Sequence, residues 1–185
     1  GLEICAISDT SGGIYSNSGL NIDKLINWKE SGKSLNEYES HNIKKITNEE
    51  LLGLECDVLI PAAVENQIYS GNADEVNCKI LLEGANSPTT SKADKILNEK
   101  GIYVIPDILA NSGGVIVSYF EYVQDILSYF WDLDRINKEM KHIILNAFNE
   151  VYALSKERDV SMRTAAYMIV GKRLAKTYEL RGLFP

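Results

Sequence analysis

Short, uninterrupted apolar runs alternate with polar, helix-compatible stretches along the first 110 residues of the chain. Strands that are covered on both faces carry apolar residues in continuous runs, whereas half-exposed strands alternate apolar and polar positions. Each run therefore predicts a buried strand. The four predicted strands are Ile4–Ile7, Val58–Ile60 with Pro61 directly after it, Ile80–Leu82 and Tyr103–Ile105.

The polar stretches between these runs carry apolar residues at helical spacing and residues that commonly begin helices. The predicted helices contain Ile22, Leu25, Ile26 and Trp28; Asn48–Leu52, with Asn48 as its cap; and Ala93, Ile96 and Leu97 after a cap at Thr90 or Ser91. Strands that alternate with helices predict right-handed crossovers and a mostly parallel sheet. We expect a doubly wound α/β fold.

After residue 110 the pattern becomes helical. It predicts a helix over Asn111–Asp125, a long amphipathic helix from Leu133, and a last helix capped by Ser161. The aromatic cluster Tyr129–Trp131 is interpreted as core or as an anchor for helix packing. Gly12–Gly19 and Gly32–Asn42 are predicted to be loops. We expect one domain over residues 1–185, with an α/β part over about 1–125 and a helical part over about 126–185.

Composition and charge narrow the classes of function. The chain has 185 residues, a formal net charge of −7 and a pI near 4.9, which disfavour binding to nucleic acid or to anionic membranes. Three cysteines without a C-x-x-C spacing and only two histidines argue against a zinc site and a disulfide framework. We therefore expect that the protein binds no metal. No apolar run is long enough for a membrane span, and we expect a cytoplasmic protein.

The segments that follow the predicted strands are unusually polar. In an open α/β sheet, ligands bind beyond the carboxyl ends of the strands, so these segments are the places to search for a site. They are Ser8–Gly13, Pro61–Asn66, Glu83–Asn86 and Pro106–Gly114.

Asp9 ends a strand where a dinucleotide fold places the carboxylate that accepts a hydrogen bond from the ribose 2′-OH of NAD. A G-x-G-x-x-G sequence should precede it by about 20 residues. Only eight residues precede Asp9, and the chain contains no such motif. Either Asp9 forms a turn before Gly12, the more common use of an isolated Asp, or the sequence begins after the missing βα unit.

Two asparagines and two alanines at strand ends are candidates for cofactor binding. Asn86 and Asn111 each present a carboxamide that suits a ribose hydroxyl or the nicotinamide amide, although Asn also caps helices and forms turns. Ala62 and Ala63 would let a planar ring or a ribose approach the backbone, although a tight loop also requires small residues.

Val115 and Ser118 are candidates for substrate binding. They lie three residues apart at the start of a predicted helix and therefore on one face of it, near free N–H groups and the positive end of the helix dipole. A carboxylate would be stabilised there. A serine in this position is more often a packed or solvated hydroxyl.

The sequence lacks the motifs of a self-sufficient active site. It contains no G-x-x-x-x-G-K-[ST] loop, no G-x-S-x-G turn and no H-E-x-x-H sequence, and its two histidines have no ligand or triad partners at a suitable spacing. A general acid or base would therefore have to come from elsewhere.

Several longer strings nevertheless share one resemblance, in order and along the whole chain. They are Ser8-Asp9 with Gly12–Tyr15, Pro61–Ala63 with Glu65-Asn66, Glu83–Asn86 with Pro88–Thr90, Pro106–Asn111 with Gly113–Val115, Ser118–Glu121, Arg163–Tyr167 and Leu180–Gly182. Together they resemble the C-terminal, nucleotide-binding domain of the glutamate dehydrogenase family. The resemblance implies a Rossmann-like domain that lacks its first βα unit and glycine loop.

The resemblance also implies an activity and an assembly. Members of the family oxidise L-glutamate to 2-oxoglutarate and ammonia and pass a hydride to NAD or NADP. Their catalytic Lys and Asp lie in an N-terminal domain that this chain lacks, so we assign no catalytic residue to this chain. The full-length enzymes form hexamers. The resemblance thus implies NAD as cofactor, with NADP as the alternative, L-glutamate or 2-oxoglutarate as ligand, and a homo-oligomer. Without the glycine loop we expect weak NAD binding and no activity from these 185 residues alone.

The resemblance assigns roles residue by residue. Asp9, with the adjacent Thr10, would meet the adenosine ribose; Ala62 and Ala63 would flank the nucleotide; Asn86 and Asn111 would position the nicotinamide half; Val115 and Ser118 would contact the substrate. Ser87 and Ser112 depart from the Gly and Ala expected there, which would narrow loops beside the site.

Asp9 favours NAD, because a carboxylate repels a 2′-phosphate. Two other hypotheses remain: a non-catalytic module that pairs its exposed sheet edge and aromatic helices with another subunit, and the corresponding domain of another amino-acid dehydrogenase.

Overall fold

A computed structural model describes residues 1–182, which form six strands and seven α-helices. The chain divides into two units, each described separately below. One contains residues 1–57 and 75–78, and the other contains residues 58–74 and the chain from Lys79 onward. The expectation of a single domain over residues 1–185 stays a prediction, and residues 183–185 lie outside the described part.

The first unit is built on an antiparallel sheet of strands β1 (Ala6–Asp9), β2 (Gly12–Tyr15) and β3 (Lys44–Ile46) in that order. A two-residue turn joins β1 to β2, and Gly12 closes it with φ at 129°, a backbone angle that favours glycine. The first predicted strand therefore exists, shifted by two residues, but it pairs antiparallel with its neighbour. The prediction that Gly12–Gly19 is a loop is wrong for Gly12–Tyr15.

Two helices complete the first unit. Helix α1 spans Ile22–Glu30 and helix α2 spans Asn48–Leu52, as predicted, and a 3-10 helix spans Leu35–Glu37. The cap of α2 is Thr47, because its side chain accepts from the Glu50 N–H while the Glu50 carboxylate accepts from the Thr47 N–H; the prediction of an Asn48 cap is wrong. The hydrophobic core of this unit consists of Ile14, Leu25, Leu35 and Tyr38.

The second sheet is parallel and contains the other three predicted strands. Strands β4 (Cys56–Leu59), β5 (Cys78–Leu82) and β6 (Tyr103–Ile105) lie in that order, and helix α3 (Ser91–Glu99) connects β5 to β6. The Thr90 side chain caps α3. Leu81 of β5 is completely buried, as expected for a strand covered on both faces. The α/β fold class is confirmed.

The remaining chain is helical. A one-turn helix α4 (Asp107–Ala110), which we did not predict, precedes α5 (Gly113–Leu127), α6 (Leu133–Arg158) and α7 (Met162–Arg181). Ser161 caps α7 as predicted, and Asp132 caps α6. The core around these helices is formed by Leu109, Val151, Met162, Ala165 and Ala166. This core packs helices α4, α6 and α7 together.

The aromatic cluster at residues 129–131 is only partly an anchor. The Trp131 ring packs against the buried Phe120 ring with 5.2 Å between centroids, and the Arg135 guanidinium lies 4.1 Å from the Trp131 centroid. Tyr129 and Phe130 are exposed. The interpretation as an anchor is therefore confirmed for the half-buried Trp131, and the interpretation as core is wrong for the exposed Tyr129 and Phe130.

Among residues 1–182, no helix has the length and apolar content needed to cross a membrane. Cys5 and Cys56 are free thiols. Burial raises the pKa of the Cys56 thiol, with smaller contributions from Cys5 and Asp57. That thiol is therefore protonated, and poorly nucleophilic, near neutral pH.

Candidate functional site

Six of the eight residues predicted to bind ligands line one open cleft in the second unit. The cleft has a volume of about 590 Å³, which is within the usual range for small-molecule sites. Its lining consists of Ala62, Ala63, Asn86, Asn111, Val115 and Ser118, which were predicted, and of Gly84, Ala85 and Gly114, which were not.

Backbone contacts bring the loops after β4 and β5 together. The carbonyl oxygen of Pro61 accepts hydrogen bonds from the N–H groups of Gly84 at 3.1 Å and Ala85 at 2.9 Å. A Cβ on Gly84 would lie 3.1 Å from the Ala62 Cβ, which is closer than ordinary van der Waals contact. Ala62 therefore lies in a tight loop that requires small residues, which was one of the two explanations for it. The same small residues line the cleft.

Asn86 and Asn111 form a direct pair in the cleft. The Asn111 Nδ2 donates to the Asn86 Oδ1 at 2.7 Å. One amide NH₂ and one amide oxygen of the pair are left to bind a ligand, and the same inventory results if both amides are reversed. The alternative that Asn111 is a helix cap is confirmed for the end of α4, where its N–H donates to the Asp107 carbonyl, while the residue that precedes α5 in the cap position is Ser112.

The first two turns of α5 contribute Gly114, Val115 and Ser118 to the cleft. Ser112 makes no side-chain cap; its hydroxyl donates instead to the Leu109 carbonyl at 2.8 Å. The Ser112 side chain therefore leaves the first N–H groups of α5 to other acceptors. Together with the helix dipole, such N–H groups favour an anion at this end of the helix.

A buried ionic cluster lies behind the cleft loops. The guanidinium of Arg163 in α7 contacts Glu83 Oε1 at 2.6 Å, Asp94 Oδ1 at 3.1 Å and Asp107 Oδ1 at 3.2 Å. The Glu83 side chain is fully buried, and the Arg163 side chain is 19% exposed. Burial lowers the pKa of Arg163, but the hydrogen bond and charge of Glu83, with those of Asp94, outweigh it and the net shift is upward.

The carboxylates of this cluster also hold the backbone of the cleft loops. Glu83 Oε2 accepts from the Asp107 N–H at 2.8 Å, and Asp107 Oδ2 accepts from the Ser87 N–H at 2.8 Å. Ser87 has φ at 48°, in the region that favours glycine, which agrees with the Gly that the family resemblance implies there. The segments that carry Asn86 and Asn111 are thus fixed by the same group of charges.

Sequence reasoning did not identify Glu83 and Arg163 as parts of the site. They are 80 residues apart along the chain, and the strings to which they belong carried the resemblance without assigning either residue a role. The available signal was a glutamate directly after the apolar run Ile80–Leu82, because a carboxylate at the end of a buried strand needs a partner.

Asp9 and Thr10 lie in the first unit, at the end of β1 and in the turn that follows. Asp9 Oδ1 accepts from the Ser11 N–H at 2.8 Å and from its hydroxyl at 2.5 Å, and Asp9 Oδ2 lies 2.7 Å from Lys29 Nζ. Burial raises the pKa of Asp9, but the hydrogen bonds from Lys29 and Ser11 outweigh it and lower the pKa below its ordinary value. The turn interpretation of Asp9 is therefore confirmed, and its role toward a ribose stays a prediction.

Comparison with known proteins gives a consistent result. The family model for Glutamate/Leucine/Phenylalanine/Valine dehydrogenase matches residues 1–182. Glutamate dehydrogenase of Thermotoga maritima is 46% identical over 185 residues, which are 100% of this chain and 44% of that protein. The cryptic catabolic NAD-specific glutamate dehydrogenase of Bacillus subtilis is 40% identical over 182 residues, 98% of this chain and 42% of that protein.

A solved structure agrees with these relatives. The hetero-hexameric glutamate dehydrogenase of Thermus thermophilus, in its Leu bound form, superposes with a TM-score of 0.87 at 27% identity, over 99% of this chain and 42% of that one. The chain therefore spans less than half the length of the relatives that it matches.

The Arg163 cluster generates a stability prediction. In Arg163→Met, Glu83 becomes a buried carboxylate without its cation, and we expect the free energy of unfolding to fall by about 3–5 kcal/mol. Arg173→Met is the matched control, because Arg173 pairs with Glu150 on the surface and exposed pairs contribute at most about 1 kcal/mol. Urea denaturation measures both; equal losses would show that the Arg163 cluster is no stronger than a surface pair.

Two glycines of the cleft should respond in opposite directions. Gly84→Ala forces a methyl group against Ala62, and we expect it to destabilise the fold by about 1–3 kcal/mol. Gly114→Ala meets no atom within 4 Å and lies in a helix, so we expect a gain of about 0.5–1 kcal/mol. The melting temperatures of both variants, compared with that of the wild type, measure these changes in stability. A loss of stability in both variants would mean that close contact of the loops is not what requires Gly84.

Proposed function

The chain belongs to the glutamate/leucine/phenylalanine/valine dehydrogenase family, and from this premise we propose that it is the nucleotide-binding part of a nicotinamide-dependent glutamate dehydrogenase. The reaction would convert L-glutamate and water to 2-oxoglutarate and ammonia, while the oxidised cofactor takes up a hydride and a proton is released. The observation that carries this proposal is the convergence of six predicted ligand-binding residues in one cleft.

The cleft has the chemistry that a nicotinamide nucleoside requires. Its small residues leave backbone accessible to a planar ring, and the Asn86–Asn111 pair offers the amide donor and acceptor that complement a carboxamide or ribose hydroxyls. When bound, the nicotinamide would supply the acceptor for the hydride that leaves the substrate. We assign to this chain the work of binding and orienting that ring.

Val115 and Ser118 would bind the substrate. Both lie at the amino-terminal end of α5 and line the cleft. The Ser118 hydroxyl can donate to the side-chain carboxylate of glutamate, and the dipole of α5 favours the same negative charge. This arrangement supports an acidic substrate over the apolar substrates of other members of the family.

Acid–base chemistry would come from outside the cleft lining. None of the nine lining residues carries an ionisable side chain, so the cleft itself holds no group that could move a proton in the reaction. The chain spans 44% of the T. maritima relative. We assign the proton transfers to a part of the longer protein that these 185 residues do not include.

Further features of the proposal concern the cofactor and the assembly. Asp9 would accept a hydrogen bond from the adenosine ribose, with Thr10 beside it, and would favour NAD over NADP; the B. subtilis relative is named NAD-specific. A homo-oligomer, as a hexamer, and a cytoplasmic location complete the proposal. The T. thermophilus relative is described as hetero-hexameric.

The activity itself is the first test. We expect the complete natural polypeptide to reduce NAD with L-glutamate, and to turn over leucine, phenylalanine and valine far more slowly, while the 185-residue chain alone shows no turnover. Formation of reduced nicotinamide, followed by absorbance, measures all of these rates. Turnover by the 185 residues alone would refute the requirement for a second part. Equal rates with apolar amino acids would favour another dehydrogenase of the family, and an inactive polypeptide with a tight protein partner would favour the non-catalytic module.

The proposed division of labour in the cleft predicts separate kinetic effects. Asn111→Ala should raise the KM for NAD about tenfold, because a cofactor hydrogen bond is lost, and should leave the KM for glutamate nearly unchanged. Ser118→Ala should raise the KM for glutamate about fivefold to tenfold, with little effect on the KM for NAD. Asn146→Ala, on the exposed face of α6, is the control. Variants that alter both constants alike would contradict these roles.

A further inference from the structure

Lys29, in the last turn of α1, contacts the carboxylate to which we assign the adenosine ribose. Its Nζ lies 2.7 Å from Asp9 Oδ2, with the two side chains 50% and 30% exposed. The other carboxylate oxygen, Oδ1, is occupied by the N–H and hydroxyl of Ser11. Asp9 is therefore paired with a cation and is not an isolated negative charge at the end of β1.

The pair retains capacity to bind a ligand. A carboxylate accepts about four hydrogen bonds and an ammonium donates three. Asp9 receives three, two on Oδ1 and one on Oδ2, so one position on Oδ2 remains for a ribose hydroxyl. Lys29 uses one of its donors on Asp9, so two remain, and these can contact an oxygen anion next to that hydroxyl.

We infer that Lys29 is a specificity-determining residue that weakens the preference for NAD over NADP, an inference that rests on the proposed function and on the assignment of Asp9 to the ribose. Its charge compensates the carboxylate that would repel a 2′-phosphate, and its remaining donors can bind that phosphate. The site then discriminates less strongly between NAD and NADP than it would with Asp9 alone.

Neighbouring lysines of this unit are engaged elsewhere. Lys33 Nζ lies over the Trp28 ring, 4.2 Å from its centroid, and Lys45 Nζ donates to the carbonyl oxygens of Asn36 and Tyr38. Of these three lysines, Lys29 is the one that contacts the Asp9 carboxylate. Lys33 supplies a matched control from the same stretch of chain.

A purely structural role for the Lys29–Asp9 contact is weak. The Lys29 side chain is exposed and the Asp9 side chain is half-buried, and ion pairs that remain accessible to water add little stability. The turn at Asp9 is held through Oδ1 and Ser11, so it does not depend on the lysine. Removal of Lys29 should therefore change the charge presented to the cofactor without displacing Asp9.

The test compares the two cofactors in the complete polypeptide. We would measure the Kd for NADH and NADPH by fluorescence titration, and kcat/KM for NAD and NADP with L-glutamate, in the wild type, Lys29→Met, Lys29→Arg and Lys33→Met. We expect Lys29→Met to increase the preference for the unphosphorylated cofactor about tenfold, mostly through weaker binding of NADPH. Lys29→Arg should restore the wild-type ratio, and Lys33→Met should leave it unchanged.

The outcomes separate this inference from the function on which it rests. An unchanged ratio of Kd values in Lys29→Met, with glutamate oxidation intact, overturns the role of Lys29 alone. Asp9→Ala provides the second comparison: we expect it to improve NADPH binding relative to NADH. If Asp9→Ala affects neither cofactor, or if the wild type binds neither, the assignment of Asp9 fails and the inference fails with it.

Discussion

A single guanidinium holds together the part of the second unit that carries the cleft. Arg163 extends from α7 to carboxylates at the end of β5, in α3 and at the start of α4. Glu83 is completely buried, and a charge in that position is stable only with a partner of opposite sign and saturated hydrogen bonds. The planar fork of arginine can meet three carboxylates at once, which the compact ammonium of lysine cannot do in the same geometry. The same carboxylates accept hydrogen bonds from the backbone of the loops that carry Asn86 and Asn111, and so fix the positions of these loops.

Local pattern predicted most of the fold. The apolar runs identified the three parallel strands, whose residues Leu59, Leu81 and Val104 are buried. Helix caps such as Thr90 and Ser161 marked where α3 and α7 begin. Strand β3 escaped prediction because its existence depends on pairing with β2, which lies far from it along the chain. Strand β2 pairs with β1 across a two-residue turn, but its first two residues are glycines. Gly12 and Gly13 resemble a loop until the hydrogen bonds of the hairpin are counted.

The residues at the ends of the parallel strands were predictable from the topology of the sheet. The side-chain contacts between residues distant in sequence were not. Parallel strands end at one edge of a sheet, so polar residues after them converge, and the cleft gathers Ala62, Asn86 and Asn111 in this way. The bond between the two asparagines and the contacts of Arg163 and Lys29 join residues 20 to 80 positions apart. No periodicity encodes such contacts, because each depends on where other elements have already placed the backbone.

The hydrogen bond from Ser87 to Asp107 has a consequence for the chemical ageing of the protein. An asparagine followed by a small residue deamidates when the next backbone nitrogen attacks its carboxamide, and this is one reason that asparagine is thermolabile. At Asn86 that nitrogen is committed to Asp107 and the carboxamide is committed to Asn111. In the native structure, neither the Ser87 nitrogen nor the Asn86 carboxamide is therefore available for the reaction. Local opening around Asp107 would make both groups available. Deamidation would then leave a carboxylate in the cleft, so the lifetime of the site depends on how rarely its loops open.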